Sequence, residues 1–266
     1  MWWRRIGIGA LASLGVAVPA SAPASAAELK ISYVELAAVV QSFIGDAKLH
    51  LHNVPGGLFS LTPSSYLSIA GQQAPISLPA KSFELLGSTY AYYVNNLDSS
   101  SIRAAAAPSA IRLTVTFKSS GADLTGGCVE GECLLADALP NIAWSAGTVA
   151  IDLVPVRAGA GVALQAKTVT IGGNLRARCD NKSGFFSLGA CDLALPWANR
   201  TITRLKPEIA ATLKDTINAA ETQAELSKRL KPFLTLGPAG EIGIDGVTSD
   251  AKSVIVKFRI GVAPGG

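Results

Sequence analysis

The chain has 266 residues, 49% of them apolar and only 16% charged, with 23 basic against 19 acidic side chains. No basic cluster is interleaved with aromatic residues, which argues against nucleic acid as a partner. After the N-terminal leader, no stretch reaches the roughly 20 uncharged residues of a membrane-spanning helix, so the surplus aliphatic surface must be covered in another way.

The leader comes first. Arg4 and Arg5 precede an uncharged apolar run from Ile6 to Val18, and small residues then lead to Ala24-Ser25-Ala26, an A-x-A cleavage site. These are the three parts of a secretory signal peptide. Residues 1–26 are therefore expected to be removed, leaving 27–266 as one periplasmic or secreted domain. Loss of the two arginines leaves 21 basic residues and a net charge of +2.

Residues 31–44 read as a helix. Ser32 and Glu35 have capping-box spacing, Leu36, Val39, Val40 and Phe43 recur at helical intervals, and Gly45 stops the helix. Residues 47–54 alternate as a strand, with Leu49 and Leu51 opposite Lys48, His50 and His52. From 55 to 110 prolines punctuate short pieces. Ser99 to Ser101 read as a loop, and a strand or short helix is expected over 83–94.

The period-2 signal is then clear in Ile111, Leu113, Val115 and Phe117. Residues 148–156 and 161–171 predict an antiparallel hairpin, and 174–179 with 185–195 predict another. The period then changes. Ile202, Leu205, Ile209, Leu213, Ile217, Ala220 and Ala224 fall three and four apart, the stripe of a long amphipathic helix. Pro207 sits at its first turn or kinks it, while Lys228, Arg229 and Lys231 complete its last turn. Strands over 241–247 and 253–260 finish the chain. The expected class is α+β, with helices covering one face of a long antiparallel sheet.

The four cysteines fall in two close pairs, Cys128 with Cys133 and Cys179 with Cys191. Both pairs are expected to be disulfides, since an even count in an exported chain is the mark of oxidised pairing. Neither has the C-x-x-C spacing of a zinc site.

No nucleophile elbow, H-E-x-x-H helix, phosphate loop or dinucleotide fingerprint occurs, so no enzyme, cofactor or catalytic residue is expected. The two histidines, His50 and His52, share a strand face and are weak candidates for a metal, or for the base of a hydrolase. The aliphatic lining, low in aromatics, suits an apolar guest. Ile202, Leu205, Ile209, Leu213 and Ile217 are the expected groove floor.

The order of elements resembles the tubular lipid-binding (TULIP) superfamily, and above all its small exported bacterial members. The resemblance is carried by Ile31-Ser32-Tyr33-Val34-Glu35-Leu36 at the first helix, by Lys48-Leu49-His50-Leu51, and by Leu205-Lys206-Pro207-Glu208-Ile209 in the long helix. It implies a long curved sheet wrapped around that helix, with an apolar groove for a lipid and no catalytic residues. The cysteine pairs and the proline-rich 55–110 region depart from this pattern. A partner at the membrane surface or in the cell envelope is compatible with the reading. An envelope scaffold or adhesion module with a solid core, binding another protein, is the alternative, and a hydrolase or metal enzyme built on the two histidines is the second.

Overall fold

The computed structural model describes residues 26–55, 65–69, 71–76, 81–132, 139–158, 161–179, 187–221, 223–224 and 241–261. A strand that carries no signal in the sequence comes first: β1 (Ala26–Ser32) runs straight into α1 (Tyr33–Ile44). The capping box forms as expected. The Ser32 hydroxyl accepts from the Glu35 amide at 3.2 Å, and the Glu35 carboxylate accepts from the Ser32 amide at 2.9 Å. The Ser32 amide and the Ser32 hydroxyl, which both donate to that carboxylate, hold the Glu35 carboxyl below its ordinary pKa. Gly45 ends the helix in a right-handed conformation (φ −52°), and not in the left-handed one for which glycine is usually selected.

Short strands follow: β2 (Lys48–Leu51), β3 (Tyr66–Ile69), β4 (Gln72–Pro75), β5 (Lys81–Leu85) and β6 (Ser88–Val94). Then come β7 (Leu97–Ala107), β8 (Ala110–Lys118), β9 (Leu124–Glu130) and an 18-residue pair, β10 (Asn141–Ala158) and β11 (Gly161–Arg178). The chain continues into α2 (Ser187–Asn218) and ends in β12 (Glu241–Ser249) and β13 (Ser253–Gly261). The fold is α+β, with a large curled antiparallel sheet, as the sequence pattern predicts. Ten strands pair in the order β4-β3-β2-β7-β8-β10-β9-β6-β5, with β11 on the other side of β10; β1, β13 and β12 form a separate three-stranded sheet.

Two expectations are corrected. Ser99 to Ser101 lie inside β7 and not in a loop: a bulge leaves Ser100 out of register while its hydroxyl donates to the Thr116 carbonyl. The serines supply bonds that the ladder omits, so the run interrupts the strand without ending it. Residues 174–178 continue β11, and from Ser187 onward the expected partner strand is helix. Pro207 is therefore well inside a 32-residue helix that also contains Pro196. The expected cationic last turn (Lys228, Arg229, Lys231) lies outside the described residues, as do the leader and its cleavage region up to residue 25.

β10 is the spine. One side pairs with β11 throughout; the other meets β9 at Ile142 and then β8 from Thr148 to Leu153. The change of partner falls at a bulge in which Ala146 and Gly147 oppose Gly173. Gly173 has φ +84°, and a Cβ there would sit 2.4 Å from the Ala146 carbonyl oxygen, so only glycine fits. The extra residue also resets the alternation. Ile142 and Trp144 precede it and Val149 and Ile151 follow it, yet all four belong to the apolar face.

The corner where β9 meets β10 is fixed by Asp123, which is fully buried. Its carboxylate accepts from the backbone amides of Ser120 and Trp144, both at 2.7 Å, and from the hydroxyls of Ser119 and Ser120. A buried carboxylate with four donors is satisfied, and it orders the loop around it.

Candidate functional site

The apolar face of the large sheet is covered unevenly. Near one end, Tyr33 and Ala37 of α1 pack with Ile111 and Val254. In the middle, Leu97, Ile102, Val115, Phe117, Trp144 and Val149 form the main core, with Phe117 and Trp144 stacked 5.3 Å apart. Around that core, Leu49, Leu51, Leu67, Ile69, Leu113, Ile151, Val169 and Ile171 are only half-buried. The face is thus a core at its centre and an accessible aliphatic surface around it.

α2 runs along β11. Its polar side chains bond to the outer edge of that strand: Lys206 donates to the Gly173 carbonyl, and Gln223, just past the helix, donates to the Leu164 carbonyl at 2.8 Å. Asn218 bonds both ways with Ala166, accepting from its amide at 2.8 Å and donating to its carbonyl at 3.0 Å. Side chains, in place of another strand, thus occupy the outer edge of β11 at Gly173, Ala166 and Leu164.

The expected groove residues are distributed along this helix. Ile202 is buried against Tyr92 and Ile142. Ile209 is half-buried in the same cluster, Leu213 is half-buried against the central core, and Ile217 is half-buried. Leu205 is in the helix, but its side chain lies outside the described residues. The stripe thus bridges two clusters, both of which also take in Leu175 of β11.

Beside the first half of α2 lies a cleft of about 330 Å³, lined by Ser82 and Phe83 of β5, Tyr92 of β6, and Trp197, Arg200, Thr201, Arg204 and Glu208 of α2. Its floor is aromatic. The Phe83 ring is 4.4 Å from Trp197 and 5.6 Å from Tyr92. Burial pushes the Tyr92 hydroxyl well above the usual phenol pKa, and that hydroxyl donates to the Pro140 carbonyl at 3.1 Å. Arg200 and Arg204 are exposed. None of these residues is among the expected site. The signal was present, since Trp197, Thr201, Arg204 and Glu208 recur at helical spacing, but it is readable only once 187–201 is recognised as helix.

A second, more open cavity of about 500 Å³ is lined by Lys30, Ser32, Glu35 and the β12–β13 turn, Asp250 to Ser253. Backbone and hydroxyl donors from Lys252 and Ser253 hold the Asp250 carboxyl down to about 2.

The ring of His50 in β2 and that of His52, one residue past the strand's end, lie 6.5 Å apart. His50 Nδ1 lies 2.7 Å from an Asp98 carboxylate oxygen, and His52 Nδ1 accepts from the Asn96 amide at 3.3 Å. Among the described residues, no group of three or more His, Cys, Asp and Glu side chains is placed to hold a metal ion. Cys179 and Cys191 form a disulfide that ties the end of β11 to the second turn of α2. Cys128 is also disulfide-bonded, and Cys133 lies outside the described residues. No helix among the described residues is long and apolar enough to cross a membrane.

The sequence matches no protein-family profile and no curated protein. Among solved structures, a crystal structure of lipopolysaccharide binding protein aligns with 72% of this chain at 14% identity and a TM-score of 0.31. The aligned part is 46% of that protein, so this chain spans less than half its length.

Proposed function

We propose that this chain is an exported binding or transport protein that holds a lipid or another hydrophobic small molecule between α2 and the curled sheet. The observation that carries this reading is the half-buried aliphatic surface around the central core, from Leu49 and Leu67 across Leu113 and Ile151 to Val169 and Ile171. Aliphatic side chains left partly in water on the core-facing side of a sheet favour an apolar guest, whose binding removes that surface from solvent. Ile209, Leu213 and Ile217 of α2 supply the facing wall, whereas Ile202 is engaged in packing. Export is supported by the leader pattern in the sequence and by the disulfide between Cys179 and Cys191.

Native mass spectrometry on protein purified from its own host tests the proposal. The expected spectrum shows a co-purified lipid, released and identified by solvent extraction. A bare protein mass, together with no uptake of lipid from vesicles, would sink it. Replacing Ile217, half-buried and outside the packed clusters, with Asp should reduce lipid retention at least tenfold while the fold is kept, because a charge then faces the guest.

A further inference from the structure

We infer that the cleft between the β5–β6 hairpin and α2 is a headgroup subsite that selects an anionic amphiphile, a deeper statement that rests on the apolar-ligand reading above. Two chemistries meet there. Phe83 and Trp197, with ring centroids 4.4 Å apart, offer an aromatic floor to the first carbons of a chain. Arg200 and Arg204 stand in the wall of the same cleft.

The spacing of the arginines gives Arg200 no acidic neighbour along the helix surface. Residues three and four apart are neighbours on a helix surface, and like charges there disfavour each other. The helical neighbours of Arg204 include Glu208, which also lines the cleft. Those of Arg200 are Pro196, Trp197, Thr203 and Arg204, with no acid among them. A phosphate or carboxylate lying across the two guanidinium groups supplies a negative charge, and guanidinium is the side chain best shaped to hold such a group through paired bonds. At about 330 Å³ the cleft is of ligand size, though small, which fits a headgroup and the start of a chain better than a whole lipid.

Calorimetric titration of the delipidated mature protein with decyl phosphate, decanol and inorganic phosphate tests this. Decyl phosphate should bind about tenfold tighter than decanol, the worth of a charge-assisted bond. In the Arg200→Ala/Arg204→Ala double variant that advantage should vanish while decanol binding is unchanged. Both side chains are exposed, so the fold should persist, as circular dichroism would confirm; Arg200→Gln alone should weaken decyl phosphate in the same direction. Equal binding of decyl phosphate and decanol, or a double variant that keeps the preference, overturns the headgroup assignment and leaves the apolar-ligand reading intact. Inorganic phosphate binding as tightly as decyl phosphate also overturns it, since the site would then read an anion and no chain. If neither decyl compound binds, both readings fall.

Discussion

At the scale of single residues, the structure concentrates its polar commitments at a few places. Asp123 is the clearest. Replacing it with Ala leaves the buried Trp144 amide without its acceptor and releases the loop at Ser119 and Ser120, an expected loss of about 3 kcal/mol in a denaturant melt. Leu86 makes the opposite case. It occupies the first central position of the two-residue β5–β6 turn at φ +50°, followed by Gly87 at φ +76°, and it is 77% exposed. A leucine is strained there, while Asn followed by Gly is the favoured pair for such a turn. Leu86→Asn should therefore stabilise the protein by about 1 kcal/mol, seen as a higher Tm. The Ser32–Glu35 cap was readable in the sequence because all of its chemistry lies within four residues. The role of Asp123 was not, since its partners include Trp144 on another strand.

At the scale of elements, the same distinction between local and distant determinants decides what could be read. Alternation located β8 and the β10–β11 hairpin. It could not locate β1, whose partner is β13, more than 200 residues on, at pairs such as Ala26 with Arg259. It also misassigned 187–195, where Gly189 and Pro196 weaken a helical signal that packing then enforces through Cys191 and Ala194, both buried. Two measurements follow. Asn218→Ala removes both bonds to Ala166, so it should cost about 1–2 kcal/mol and hasten hydrogen exchange at the Ala166 amide well beyond that at neighbouring core amides. Replacing Cys179 and Cys191 with Ala should lower stability by about 3 kcal/mol, since the loop they close no longer restricts the unfolded chain.

At the scale of the whole molecule, the cleft is a consequence of how α2 is attached beside β5 and β6. Of the aliphatic stripe that the sequence displayed from Ile202 onward, Ile202, Ile209 and Leu213 pack against the sheet, whereas Ala220 and Ala224 are exposed; composition alone could not say which of its members fill the interior. The cleft was hidden because its lining comes from β5, β6 and α2, segments more than 100 residues apart that share no motif. The β10–β11 ribbon joins these regions. Because one pair of strands serves the β8 side and the β9 side together, neither half can come apart without fraying the other. Thermal or chemical denaturation should accordingly be all-or-none: Trp144 at the bend, Trp197 beside the cleft and the far-ultraviolet signal of the sheet should lose their native values at one common midpoint. Separate midpoints for the two tryptophans would mean that the ribbon only connects the two sides and does not bind them into a single cooperative unit.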